Sequence, residues 1–216
     1  MSTHNTTRHA TGQSQHRDQP YDGADCHCGS GSSKTLVADA PRIALAGAPN
    51  AGKTSIYNAL TGLHAKTGNY PGVTVQRSMG TCKVGGKTLT IEDLPGAYSL
   101  DPISPDEQIV HDVLTGTSTT VSAPDALVIV VDATTLQRGM NFIAEALALE
   151  LPTCLVVTMT DELTRRAGRL DVAALGQALG IPAVRVVGNR SIGIPELREQ
   201  LTDIPSWQRP PLPAPT

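Results

Sequence analysis

Gly47-Ala48-Pro49-Asn50-Ala51-Gly52-Lys53-Thr54 reads G-x-x-x-x-G-K-T, the pattern of a phosphate-binding P-loop. The stretch before it, Arg42-Ile43-Ala44-Leu45-Ala46, reads as a short buried strand. The stretch after it, Ser55-Ile56-Tyr57-Asn58-Ala59-Leu60, reads as a helix. That context turns a string match into a site. Glycines let the backbone wrap closely around phosphate, so that successive N–H groups point inward. The positive end of the following helix faces the same oxygens. In such a loop Lys53 reaches the β- and γ-phosphates and the Thr54 hydroxyl sits on Mg²⁺. A Gly-rich turn that merely starts a helix is the competing reading, and it leaves the later motifs unexplained.

Those motifs fall where a P-loop site needs them. Asp93-Leu94-Pro95-Gly96 follows a predicted strand. An acidic residue there can hold Mg²⁺ through water, and the Gly96 N–H can face the γ-phosphate. Between this motif and the P-loop lies Gly68-Asn69-Tyr70-Pro71-Gly72-Val73-Thr74-Val75, which Gly and Pro mark as a loop. Thr74 can close on Mg²⁺ and the γ-phosphate, ordering the loop only with a triphosphate bound. Thr158-Met159-Thr160-Asp161 stands where GTPases read N-K-x-D. Asp161 supplies the carboxylate for guanine N1 and N2, whereas Thr158 replaces the Asn and lacks the paired donor and acceptor of an amide. Val187-Gly188-Asn189 offers backbone N–H groups to guanine O6 at the end of the last predicted strand.

Composition narrows the class. The 216 residues suggest one domain with tails, and 39% hydrophobic content suffices for a core. Aromatics at 3% and a net charge of −3 argue against nucleic-acid binding. The longest apolar runs, such as Ala126 to Val131, are too short to span a bilayer, and the N-terminus lacks a signal-peptide core. The chain therefore reads as cytosolic. Residues 1–40 are polar and read as a disordered tail. Within it, Cys26-His27-Cys28 is either a zinc or ferrous-iron ligand set or an incidental pair of thiols. Cys82 and Cys154 fall on predicted strands as small buried hydrophobes.

From Pro41 the pattern alternates between strand and helix. Val75 to Val84 and Lys87 to Asp93 form a predicted hairpin about Gly85-Gly86. Ala126 to Asp132, Thr153 to Val157 and Ala183 to Val187 are predicted strands. Predicted helices cover Phe142 to Leu149 and run from the Asp171 cap to Leu179, and another opens at Pro195. Such alternation implies an α/β fold with a mostly parallel central sheet and helices on both faces. The domain is expected to span 41–204, with a proline-rich tail over 205–216.

These motifs, with Leu60-Thr61-Gly62, Lys66-Thr67-Gly68-Asn69-Tyr70-Pro71-Gly72-Val73-Thr74-Val75, Asp93-Leu94-Pro95-Gly96-Ala97-Tyr98-Ser99-Leu100 and Ser104-Pro105-Asp106-Glu107, resemble the G domain of the bacterial ferrous-iron transport protein B family. The resemblance covers roughly Pro41 to Leu201. It implies a Ras-like P-loop GTPase that binds GTP and GDP with Mg²⁺ and regulates a membrane pore for Fe²⁺. The helical and membrane parts of that family are absent from this chain, which reads as a truncated or free-standing G domain. The implied contacts to nucleotide run from Gly47 to Thr54 with Ser55, then Gly72-Val73-Thr74, Asp93 to Gly96, Thr158, Met159, Asp161 and Val187 to Asn189. Ala97 stands where Ras-like enzymes place a water-orienting Gln. Related GTPases without that Gln carry a P-loop Asn that helps bind K⁺, and Asn50 matches it. Hydrolysis would then rest on Asn50, Lys53, Thr74 and Gly96. Three other readings stay open: a nucleotide-sensing module with little turnover, a ribosome-associated GTPase, and an ATPase, against which Asp161 argues.

Overall fold

A computed structural model describes residues 40–63, 65–187 and 192–207. The strands are β1 (Arg42–Ala46), β2 (Ala65–Asn69), β3 (Gln76–Val84), β4 (Lys87–Asp93), β5 (Ala126–Asp132), β6 (Thr153–Thr158) and β7 (Ala183–Arg185). They form one sheet in the order β2-β3-β4-β1-β5-β6-β7. The pairs from β4 through β7 are parallel, and β2·β3 and β3·β4 are antiparallel. The helices are α1 (Lys53–Thr61), α2 (Pro105–Thr115), α3 (Leu136–Leu147), α4 (Thr160–Arg165), α5 (Val172–Leu179) and α6 (Ile194–Gln200).

The two-residue period of a strand sends alternate side chains to opposite faces. On one face Ile43, Leu45, Ile91 and Val128 meet Ile56 and Leu60 of α1 and Leu197 of α6. On the other, Ala44, Ala46 and Ile129 meet Val110 of α2 and Phe142 and Ile143 of α3. Each fully buried Val, Leu, Ile or Phe among these contributes about 1.5–3 kcal/mol. The hairpin between β3 and β4 turns at Gly85 and Gly86, both with positive φ (52° and 76°), as a two-residue primed turn requires. Asp171 Oδ1 accepts the Ala174 N–H at the start of α5, and Gly180 ends that helix. Cys82 and Cys154 are both buried.

Several boundaries differ from expectation. Residues 68–69 pair in β2 with β3, so the loop expected over 68–75 shrinks to a turn over 70–75. That turn is closed by the Tyr70 N–H on the Val75 carbonyl. Helix α3 begins at Leu136 rather than Phe142, because Asp132 Oδ1 accepts both the N–H and the hydroxyl of Thr134. This nucleates a 3₁₀ turn over Ala133–Thr135 that runs into the helix. The helix stops at Leu147, and Glu150 takes a left-handed φ of 56° soon after. Strand β7 ends at Arg185, with Val187 bridging Ile192 instead. Trp207, which the sequence assigns to the proline-rich tail, packs into the core and donates its Nε1–H to the Gln200 carbonyl. The tail over 1–39 with Cys26-His27-Cys28, the residues Gly188 and Asn189, and 208–216 lie outside the described residues. Among the described residues no helix is long and apolar enough to cross a membrane.

Candidate functional site

The site lies at the carboxyl ends of β1, β4 and β6, which parallel pairing brings to one end of the sheet. Gly47 leaves β1 at φ 141°, and a Cβ there would stand 2.1 Å from the Val130 carbonyl oxygen, so no other residue fits. The chain then wraps through Ala48 and Pro49 to Asn50, which is exposed and left-handed (φ 63°). Helix α1 follows Gly52 with no side-chain cap and no acidic residue in its first turn. Helix α2, by contrast, has Ser104 accepting the Glu107 N–H. The leading amides of α1 are thus left for something else, at the helix's positive end.

Lys53 is buried at the base of this wrap, and its ammonium donates to the Gly47 carbonyl at 3.0 Å and the Ala48 carbonyl at 2.9 Å. Burial lowers its pKa, and the nearby Asp93 carboxylate partly restores it. The Thr54 hydroxyl donates to Asp93 Oδ2 at 2.8 Å. The other Asp93 oxygen, Oδ1, is buried without a hydrogen-bond partner among the described residues. Burial pushes the Asp93 carboxyl up from its ordinary value, against the Thr54 hydrogen bond and the Lys53 charge. Lys53, Thr54 and Asp93, 39 residues from Thr54 in sequence, are therefore one cluster.

The Asp93–Gly96 segment is docked on the P-loop. Leu94 N–H donates to the Leu45 carbonyl and Ala97 N–H to the Gly47 carbonyl, each at 3.1 Å. A Cβ on Gly96 would come within 2.7 Å of Pro49 Cγ and 2.8 Å of its nitrogen, so only glycine allows this approach. Ala97 is fully buried and presents no functional group.

Next to the P-loop opens a cavity of about 430 Å³ lined by Gly52, Ser55, Thr158, Met159, Asp161 and Val187, among others. Thr158 is buried, and its hydroxyl lies 2.7 Å from the Ala51 carbonyl and 3.0 Å from the Val131 carbonyl. One hydrogen serves one of these acceptors at a time, so the hydroxyl ties either the P-loop or β5 to β6 and has no donor left for the cavity. Met159 takes a left-handed φ of 54°, which starts α4 and sets Asp161 in its first turn.

Thr74 is not in this cluster. It is exposed on the 70–75 turn and makes no hydrogen bond to Thr54 or Asp93. Ser78 pairs with Asp93, so the turn stands beyond the carboxyl end of β4, at the P-loop end of the sheet. Gly72 and Val73 are exposed on the same turn. Tyr70 anchors it: the ring is buried and its hydroxyl donates to Glu92 Oε1 at 3.0 Å. Fully buried Glu92 also accepts Arg77 Nε at 2.7 Å and pairs with Arg42 at 3.2 Å. The Arg77 guanidinium stacks 5.5 Å over the Tyr70 ring. Sequence reasoning missed this buried network, because an Arg and a Glu inside strands read as surface residues. It also missed the helix cap at Ser104–Glu107, which the S-x-x-E spacing signals.

The family model for ferrous iron transport protein B matches residues 41–201. The chain is 39% identical over 163 residues to the Fe(2+) transport protein A/Fe(2+) transporter FeoB fusion protein of Porphyromonas gingivalis, covering 76% of this chain and 19% of that one. It is 40% identical over 161 residues to the Fe(2+) transporter FeoB of Salmonella typhimurium, covering 72% and 20%. It thus spans about a fifth of the length of these curated relatives. Among solved structures, the G domain of the T. maritima FeoB iron transporter superimposes with a TM-score of 0.69 at 34% identity, covering 77% of this chain and 99% of that one. The cytosolic domain of the T. maritima transporter in a GDP form superimposes with a TM-score of 0.69 at 34% identity, covering 77% and 63%.

Proposed function

The chain belongs to the ferrous iron transport protein B family as its N-terminal G domain, with a Ras-like α/β fold, and on that premise we propose that it binds GTP and GDP, hydrolyses GTP slowly, and so regulates ferrous-iron uptake through a membrane pore. It would act at the cytoplasmic face of the membrane. One observation carries the reading. The uncapped first turn of α1 opens into the Gly47–Thr54 wrap, beside a carboxylate whose second oxygen is buried and unpartnered among the described residues.

The backbone amides from Ala48 to Ser55 bind the phosphates, and Lys53 turns its ammonium from the Gly47 and Ala48 carbonyls to the β- and γ-oxygens. Gly96 faces the γ-phosphate with its N–H, held there by the docking of Leu94 and Ala97. Water attacks the γ-phosphorus, the bond to the β–γ bridging oxygen breaks, and GDP and phosphate leave. Asp161 accepts from guanine N1 and N2 in the cavity, and Met159 and Val187 line its walls.

The donor set at Thr54 and Asp93 suits a hard divalent cation, because the orphaned Asp93 oxygen already bears an unrelieved cost of burial. Thr54 and Asp93, joined by Thr74 from the 70–75 turn, would hold Mg²⁺, which when bound neutralises phosphate charge. Asn50 suits K⁺: its side chain is exposed and makes no hydrogen bond to a described residue, leaving its amide oxygen free. Since 66–69 pair in β2, carbonyls of the 70–75 turn, rather than of a whole 66–74 loop, would complete that shell.

A second reading, a nucleotide-sensing module with little turnover, draws on the side-chain-poor Ala97 and on Thr158. Phosphate release from GTP in Mg²⁺, in K⁺ or Na⁺ at matched ionic strength, separates the two. Turnover should rise about tenfold in K⁺, the effect of about 1.4 kcal/mol at the transition state. GDP binding without phosphate release in either salt would favour the sensing module.

A further inference from the structure

We propose that Glu145 on α3 is a positioning residue for GTP hydrolysis, holding the segment after Gly96 against the P-loop. The inference rests on the GTPase reading above. Glu145 is half-buried and collects three donors from two elements. The Ser99 hydroxyl lies 2.9 Å from Oε2 and 3.0 Å from Oε1. The Leu100 N–H donates to Oε2 at 2.5 Å. Asn141, one turn earlier on α3, donates its amide to Oε1 at 2.8 Å, which fixes the carboxylate's rotamer.

Ser99 in turn accepts the Asp101 N–H at 2.9 Å. Further along, Glu107 accepts the N–H groups of Tyr98 at 3.4 Å and Ile103 at 3.1 Å. The amides of 98, 100, 101 and 103 are therefore all spent on side chains, in a stretch with no regular structure. Glu107 is local to this stretch, on α2. Glu145 is the tie to a different element, 45 residues away from Leu100 in sequence, and α3 is fixed to the sheet by Phe142 and Ile143.

This tie matters because Ala97 has no side chain to do chemistry. Whatever this segment contributes to hydrolysis comes from where its backbone stands. Charge-assisted hydrogen bonds to a carboxylate are roughly twice as strong as neutral ones. A displacement of about 1 Å at a reacting centre costs roughly 10²-fold in rate. Glu145 touches no phosphate itself and acts through Ser99 and Leu100.

The test compares Glu145→Ala, Glu145→Gln, Ser99→Ala and the Glu145→Ala/Ser99→Ala pair with wild type. Single-turnover GTP hydrolysis is measured beside GDP affinity and affinity for a non-hydrolysable GTP analogue. Glu145→Ala should hydrolyse GTP about tenfold more slowly. Its GDP affinity should stay within about twofold, since GDP has no γ-phosphate for the segment to meet. Glu145→Gln keeps one carbonyl acceptor for Leu100 and should recover part of the rate. Adding Ser99→Ala to Glu145→Ala should cost little more, because the two act as one unit. Wild-type turnover in Glu145→Ala would overturn the proposal, as would an equal loss of GDP affinity and turnover. If wild type itself releases no phosphate, the hydrolysis reading fails separately. The tether is then judged on the ratio of analogue to GDP affinity: a fall in Glu145→Ala supports it and an unchanged ratio overturns it.

Discussion

Replacing Thr158 by Val removes one hydroxyl and keeps the branched shape of the side chain. The Thr158 hydroxyl lies 2.7 Å from the Ala51 carbonyl and 3.0 Å from the Val131 carbonyl, in a residue that is 3% exposed. One hydrogen can be donated at a time, so one bond is lost, worth about 1 kcal/mol net. A buried carbonyl left without its partner adds about 1–3 kcal/mol, less wherever it keeps another donor. We expect a total of about 1–2 kcal/mol, read as a fall in Tm of about 2–8 °C. Ala51 sits in the P-loop, so part of the same energy should appear as weaker GDP binding, by up to about tenfold. Thr158→Asn is the counter-test. An amide carries two donor hydrogens and can serve the Ala51 carbonyl while offering another N–H to the base. GDP should then bind about tenfold more tightly, for about 1.4 kcal/mol. Thermal melts and GDP titrations of both variants decide the matter. A Thr158→Val protein with wild-type Tm and GDP affinity would refute the latch, and an unimproved Thr158→Asn would show that the base does not meet this position.

Asp93→Asn should raise Tm at neutral pH in metal-free buffer. Because burial raises the folded-state pKa of Asp93, its ionised form costs stability above that pKa, and the cost fades as the pH falls and the carboxyl protonates. The gain in Tm should therefore shrink towards pH 3.8, while Mg²⁺-dependent turnover is lost at all pH values; a lower Tm at pH 7 would contradict this. Gly96→Ala places a methyl 2.7–2.9 Å from Pro49, including its backbone nitrogen and Cα, and should cost about 1–3 kcal/mol. Turnover should fall further than GDP affinity, and full activity would show that the segment stands away from the P-loop in solution. Asn50→Ala should keep GDP affinity and lose any K⁺ stimulation of phosphate release, whereas a retained K⁺ effect would leave Asn50 as a turn residue.

The parts of the fold that were legible are those where a single local rule governs. β1 and β5 follow from apolar runs, β3 and β4 from the hairpin signal at Gly85-Gly86, and α5 from its Asp171 cap and Gly180 stop. The P-loop was legible because phosphate binding needs glycine at fixed spacing. Where a long-range contact decided, the sequence was silent. β2 exists because β3 lies alongside it, whereas the early start of α3 was a missed local signal, Asp132 at the end of β5 accepting from Thr134 two residues on. From the sequence, the Thr158 hydroxyl reads as a weak base contact. Its use as a tether emerges only once Ala51, 107 residues away, is placed beside it. Glu145 belongs to the same class, since nothing in the helix around it signals Ser99 or Leu100. The proline-rich neighbours of Trp207 read as a tail, yet its single large apolar side chain outweighs them and packs into the core.

The most direct test of the central claim is calorimetric titration of the whole chain with GDP and with ADP in Mg²⁺ buffer, beside Lys53→Ala. GDP should bind with clear preference over ADP. Losing the buried cation of the P-loop should weaken GDP by about 1.5–3 kcal/mol, roughly ten- to a hundred-fold. Equal affinity for the two nucleotides, or a Lys53→Ala protein that binds GDP as wild type does, would contradict it.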